Sequence, residues 1–180
     1  MRRLLTILVA LTAAAMLGAA APEAPGAADF VAIASVLTSP RCKNCHPADG
    51  VPRVGDDDRL HRMNISRRSV SAGLPCSTCH RSSNAPFAHG PPGVPGWRMP
   101  GDERPMPFAG KTVGQLCVDL KDPGKNGGKA LGALREHFEG DPLVAWAWSP
   151  GPGRTVPPLA HAELMKHVDA WIGAGAPCPL

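Results

Sequence analysis

Two copies of one five-residue pattern, Cys42-Lys43-Asn44-Cys45-His46 and Cys76-Ser77-Thr78-Cys79-His80, constrain this chain more than any other feature. The pattern C-x-x-C-H is the attachment signal for c-type haem. Its spacing has a chemical reason. Two thiols one short turn apart can each add to one of the two vinyl groups on a haem edge, and the next residue then faces the iron. Cys42, Cys45, Cys76 and Cys79 are therefore read as thioether anchors, with His46 and His80 as the proximal iron ligands of two covalently bound haem c groups.

Plainer readings compete with this one. Two C-x-x-C pairs could hold a structural zinc, but the gap between them exceeds the ~15–20 residues of a zinc ribbon, and a histidine after each pair would be coincidence. A dithiol redox site of thioredoxin type needs one such pair near a βαβ pattern, and the chain has none. A disulfide within each pair would bridge cysteines only three apart and staple little.

The N-terminus reads as an export signal. Arg2 and Arg3 form a basic region, Leu4 to Leu17 an apolar run, and Gly18-Ala19-Ala20 a small-residue cleavage site. The apolar run, about 14 residues, is short of the ~20 that a spanning helix needs. Residues 1–20 are accordingly expected to be a signal peptide. Residues 21–180 then form one domain in the periplasm, with no membrane span after signal removal. Haem is attached to cysteines in that same compartment.

Charge excludes a further class. The formal net charge of +4 falls when Arg2 and Arg3 leave, and the propionates of two haems would offset the remainder. A nucleic-acid partner needs a basic stripe with base-reading groups, which nothing here supplies. Arg41, Lys43, Arg53, Arg59, Arg62, Arg67, Arg68 and Arg81 crowd around the motifs. Their expected task is to pair Asp56 to Asp58 and the haem propionates, and steering of an acidic partner is the alternative.

In chain order, Phe30, Val31, Ile33, Val36 and Leu37 fall on one helical face that leads through Ser39-Pro40 into the first motif. Pro47 to Gly73 reads as a loop, and Ser83 to Gly110 as a Pro/Gly-rich wrap whose missing apolar wall a haem would supply. Thr112 is expected to cap a helix bearing Val113, Leu116, Cys117 and Leu120. Asn126 or Gly127 opens a second helix, with Leu131, Leu134 and Phe138 on one face. Asp141-Pro142 begins a short apolar piece through Trp146 and Trp148. Leu164, Met165, Val168, Trp171 and Ile172 mark the last helix. No strand pattern emerges. The fold class is mainly α and loop-rich, a dihaem cytochrome c with a C-terminal helical cap, and that cap is expected to enclose the second haem more than the first.

Six cysteines less four for haem leave Cys117 and Cys178, expected to pair in an oxidising compartment. The second axial ligands are more open. His61, between the motifs, has about fifteen residues of chain on its shorter side, which reach up to ~50 Å when extended, so it can approach either iron. His89 follows His80 with a reach of ~30 Å. Pro105-Met106-Pro107-Phe108 holds a thioether in a stiff loop resembling the distal methionine loop of class I cytochromes c. The ranking is His61 first, then Met106 and His89. His137, His161 and His167 lie on expected helices and read as surface or capping residues, and Met63, Met99 and Met165 as packing.

A wider resemblance adds to these residues. The segments Cys42 to Pro47, Gly55-Asp56-Asp57-Asp58 to His61, Cys76 to His80, Lys121 to Gly128, Asp141 to Trp148 and the Cys178 tail resemble a family of small exported dihaem c proteins. Members are sometimes labelled as a subunit of an isoquinoline 1-oxidoreductase. The resemblance covers most of the mature chain. It implies an electron-accepting partner of a molybdenum hydroxylase, whose own cofactor motifs this chain lacks. It departs at Trp97-Arg98, where a histidine is expected after the tryptophan.

The functional expectation is a periplasmic carrier of single electrons between redox proteins, such as a dehydrogenase or another cytochrome. The alternative is a small dihaem enzyme of peroxidase or nitrogen-oxide reductase type with one open iron. A haem-based sensor would need an output domain, and the sequence has none.

Overall fold

The computed structural model describes residues 24–180. The expected signal peptide lies outside them. The first helix, α1 (Ala27–Leu37), starts at Gly26, whose φ of +90° suits glycine and whose position leaves no room for a side chain. A Cβ there would come within 2.6 Å of the Ala174 Cβ. The start of the first helix is thus pressed against the end of the last, α7 (His161–Gly173).

These two helices form the centre of the core. Phe30, Ile33, Ala34, Val36 and Leu37 of α1 are buried, as are Leu164, Met165, Val168 and Trp171 of α7. The Phe30 and Trp171 rings meet with centroids 5.0 Å apart. Burying side chains of this size contributes about 1.5–3 kcal/mol each before ordering costs. Two further helices, α4 (Val113–Lys121) and α5 (Leu131–Gly140), add Leu116, Cys117 and Leu120, and Leu134 and Phe138, to the same cluster. Val31, expected on the inward face, is instead exposed, because α1 turns only one stripe to its partners.

Local signals explain most boundaries. Thr112 caps α4 by accepting from the Gln115 N–H at 3.2 Å, and Gln115 Oε1 accepts in return from the Thr112 N–H at 2.9 Å. Asp141 caps α6 (Pro142–Ala145) through the Leu143 N–H at 2.8 Å, with proline in the first turn. A 3-10 turn over Trp146–Trp148 follows directly. The helix expected to open at Asn126 or Gly127 begins only at Leu131. Asn126 instead folds a buried turn: its Nδ2 donates to the Leu120 and Lys129 carbonyls at 2.7 and 2.8 Å, and its Oδ1 accepts from the Lys129 N–H at 2.7 Å.

The segment read as featureless, Pro47 to Gly73, carries more structure than expected. It holds a two-residue antiparallel ladder of β1 (Arg53–Val54) and β2 (Arg59–Leu60), with Arg53 opposite Leu60. It also holds α3 (Arg67–Ser71). Two residues per strand are too few for a period-2 pattern to register. The chain is nevertheless mainly α and loop-rich, as expected. Among the described residues, no helix is long and apolar enough to cross a membrane.

The expected bridge is present: Cys117 and Cys178 are joined across 61 residues, with Cα atoms 5.5 Å apart. Lys121 Nζ donates to the Ala176 carbonyl at 2.6 Å, and Trp171 Nε1 to that of Pro177 at 2.9 Å, so the tail is tied at three points. Replacing Cys117 and Cys178 together by serine should lower unfolding free energy by about 4 kcal/mol, read by urea denaturation against the parent under oxidising conditions. Asn126→Ala strands three buried backbone groups and should cost about 2 kcal/mol in the same assay.

Candidate functional site

Both motifs fold into the same local turn. The first runs from α2 (Pro40–Lys43), where Ser39 precedes proline at the helix start, and the His46 N–H donates to the Cys42 carbonyl at 3.2 Å. The second is a 3-10 turn over Cys76–Thr78, and the His80 N–H donates to the Cys76 carbonyl at 3.0 Å. Each histidine therefore stands one turn beyond the first cysteine of its pair. All four motif cysteines are free thiols, whereas Cys117 and Cys178 are bridged.

The side chains of the two histidines share one setting. His46 Nδ1–H donates to the Met106 carbonyl at 2.7 Å, and the ring lies flat on Phe108, centroids 3.9 Å apart and 9° from parallel. His80 Nδ1–H donates to the Pro92 carbonyl at 2.8 Å, and its ring lies on Trp97 at 4.9 Å and 3°. A carbonyl can only accept, so in both rings the proton sits on Nδ1 and the Nε2 lone pair is left over. Burial lowers the pKa of both rings, that of His46 to about 4. They are neutral at pH 7, which is the form that ligates a metal.

Each motif opens on its own cleft. The first cleft, about 330 Å³, is lined by Cys42, Cys45 and His46 together with core residues Val36, Leu37, Phe108, Leu120, Leu134, Phe138 and Leu164. Its volume lies in the ~300–1,000 Å³ range of cofactor and ligand pockets. The second, about 220 Å³, takes Cys76, Cys79 and His80 with Pro52, Ile65, Leu74 and Pro75. Arg41, Cys45, Trp97, Met99 and Trp146 face both clefts and form the wall between them. Trp97 meets Trp146 edge-on at 4.8 Å.

The helical cap closes over the first cleft, not the second as expected. The reason is the packing of α1 on α4 and α7, which brings α5 and the core to the motif that α1 leads into. The second motif is held by the Pro/Gly-rich wrap. Ala85 N–H donates to the Pro91 carbonyl at 3.1 Å, and Gly93 has no room for a side chain, since a Cβ would lie 2.4 Å or less from the Arg81 and Ser83 carbonyl oxygens. Asn84 joins that wrap to the cap. Its Oδ1 accepts from the Gly93 N–H at 3.0 Å and from Trp146 Nε1 at 2.8 Å, and its Nδ2 donates to the Ser149 carbonyl at 2.8 Å.

The candidates for the opposite positions are spread unequally. His61 lines the second cleft, its ring centroid 6.0 Å from that of His80, and its Nδ1–H donates to the Arg62 carbonyl at 2.8 Å. Two imidazoles on one metal at bonds of ~2.0–2.1 Å have centroids ~6 Å apart. Met106 lines the first cleft, and its backbone carbonyl accepts from the His46 ring. His89 lies outside both clefts. It is exposed, at φ 57°, and packs against Gly153.

His137 is the residue that sequence reasoning passed over. It lines the first cleft, and its Nδ1 is 3.1 Å from Asp141 Oδ2. The i,i+4 spacing to Asp141 was visible but is shared by any helix-end ion pair, and only the fold puts it opposite an apolar cleft.

The basic cluster divides. Asp56, Asp57 and Asp58 pair with Arg41, Arg59 and Lys43, as expected, and Arg53 pairs with Asp49 at 2.8 Å. Arg67 is used structurally, donating to the Pro100 and Pro105 carbonyls at 2.9 and 3.3 Å. Arg41 is unusual: its side chain is 2% exposed, yet Nε is buried without a partner on the wall between the clefts. An unpaired buried cationic N–H fits a carboxylate seated in either cleft.

Burial raises the Cys42 thiol to about 12 and the Cys45 thiol to about 11. Among the described residues no three His, Cys, Asp or Glu side chains converge on a cation position. The residues present do fit two flat, apolar, covalently held groups, each with a nitrogen ligand on one side. Compared with family models, with curated proteins and with solved structures, the chain finds no match.

Proposed function

We propose that the chain is a periplasmic dihaem c-type cytochrome that passes single electrons between redox proteins, serving a dehydrogenase or another cytochrome. The observation that carries this reading is the shared setting of His46 and His80. Both are neutral, both give Nδ1–H to a backbone carbonyl and both lie flat on an aromatic ring beside an unbridged cysteine pair. Partners of that kind fix the tautomer and aim of a metal-ligating imidazole.

One-electron chemistry comes from the haem iron when it is bound. The chain supplies the rest. Cys42, Cys45, Cys76 and Cys79 anchor, and the apolar walls keep water away. Arg41 Nε offers a buried donor to a propionate. His61 is the second ligand of the second site, its Nδ1 committed to Arg62. Were His61 and His80 both to hold the second haem, that site would leave no position for a substrate, and an open iron could lie only at the first.

The test is expression with haem-attachment machinery, followed by haem counting and spectroscopy. Two covalent haems per chain are expected, with both irons low-spin and slow to bind CO. One haem or none overturns the proposal, and rapid CO binding at both sites overturns the carrier role. His61→Ala should turn one haem of the two high-spin, and an unchanged spectrum removes His61 as a ligand.

A further inference from the structure

We propose that His137 is the second axial ligand of the first haem site, facing His46 across the first cleft, and that Asp141 is the residue that positions it. This rests on the dihaem reading and deepens it. His137 and His46 line the same cleft with Cys42 and Cys45. His137 Nδ1 lies 3.1 Å from Asp141 Oδ2, one helical turn on, and no hydrogen bond engages Nε2 among the described residues. Both motif histidines and His61 show that same division of the ring: Nδ1 committed, Nε2 free.

The support behind His137 is rigid. It sits on α5 between Leu134 and Phe138, both in the core. Asp141 uses both carboxylate oxygens, Oδ2 for His137 and Oδ1 for the Leu143 N–H that caps α6. The carboxylate therefore cannot swing away without uncapping that helix. The cleft's lining beside His137 is largely apolar, with Leu134, Phe138, Leu143 and Val144 around it.

Other ligands to the first site are used elsewhere. His161 Nε2 is committed to the Phe138 carbonyl at 2.8 Å, and His167 pairs with Asp29 at 2.8 Å between α7 and α1. His89 is outside the cleft. Met99, which faces both clefts, and Met106, which lines the first, are the remaining rivals.

The two sites would then differ also in what backs the second ligand. His137 is backed by a carboxylate and His61 by a neutral carbonyl. A carboxylate partner makes an imidazole the more basic ligand and favours the oxidised metal. The carboxylate therefore lowers the potential of the first site below what a carbonyl partner in the same place would give.

The experiment uses the mature protein with two haems counted, so that a chain lacking haem fails the dihaem reading rather than this one. In His137→Ala, one haem should become high-spin and bind CO, and added imidazole should restore the low-spin spectrum. The same haem must be distinct from the one altered by His61→Ala, so that the double variant has both irons high-spin. A His137→Ala protein with two low-spin haems overturns the assignment, as does a thioether-to-iron charge-transfer band in the parent that Met99→Leu abolishes. Asp141→Asn keeps a capping oxygen for α6 and is the second arm, useful if His137→Ala does not fold. It should raise one of the two midpoint potentials and leave the other in place, and two unchanged potentials overturn the role of Asp141.

Discussion

A buried imidazole must satisfy its ring N–H inside the protein, and the way His46 and His80 do so governs the rest of the structure. His46 uses the Met106 carbonyl, 60 residues further along the chain, whereas His80 uses that of Pro92, only 12 away. The first bond can exist only when the chain has closed a long loop and set α4 and α5 behind it. The second needs only the Pro/Gly-rich wrap to turn back on itself. Two identical pentapeptides thus acquire different surroundings, one bound into the core and the other held by a local loop.

That difference explains how the helices are distributed. α1 enters the first motif directly, and α7 and α4 pack on α1, so the buried cluster and the first cleft share Val36, Leu37, Leu120, Leu134, Phe138 and Leu164. The second cleft has no helix of its own. Its stability comes through Asn84 and the Trp97–Trp146 contact, which hang the wrap on the short α6 segment. Leu60, Met63 and Phe87, all well exposed, belong to this loosely clad half. Large apolar side chains left facing water are tolerable singly, but their concentration on one half marks where apolar cover is thinnest.

Much of this was legible in the sequence wherever a signal acts within one turn. The capping pair of Thr112 and Gln115, the Asp141-Pro142 start, the apolar stripe of α7 and the surplus pair Cys117 and Cys178 each depend on near neighbours or on simple counting. Asn126 misled for a physical reason. Asparagine can cap a helix or fold a turn on itself, and here three short-range bonds favour the turn. Met106 drew attention through its sulfur, and the fold adds a second contact that residue type could not announce, its carbonyl against His46 Nδ1. His137 was read as a surface or capping residue because its place in the lining of the first cleft is a property of the whole fold, created when α5 docks beside a motif some ninety residues earlier in the chain.

Arg41 shows how the two halves become one unit. Its guanidinium is almost wholly buried between the clefts, donates to the Gly55 carbonyl at 2.8 Å and pairs with Asp56. Asp56 Oδ2 in turn accepts from the Thr155 N–H at 3.1 Å, which ties the hairpin loop to the segment after α6. Deleting Asp56 would leave the buried Arg41 with its desolvation penalty and less of its attraction, an effect that solvent at the half-buried carboxylate moderates. Burial already lowers the Arg41 pKa against the pull of Asp56, so the charge is held there at a real cost. Nε is still unpaired, so the guanidinium that ties the two halves together also keeps one donor in the wall common to both clefts. An anionic group turned toward that wall from either side would meet the charge at short range and with little water to screen it. Arg41 thus joins Cys45, Trp97, Met99 and Trp146 in a partition that both clefts share, and it is the one charged member of that set.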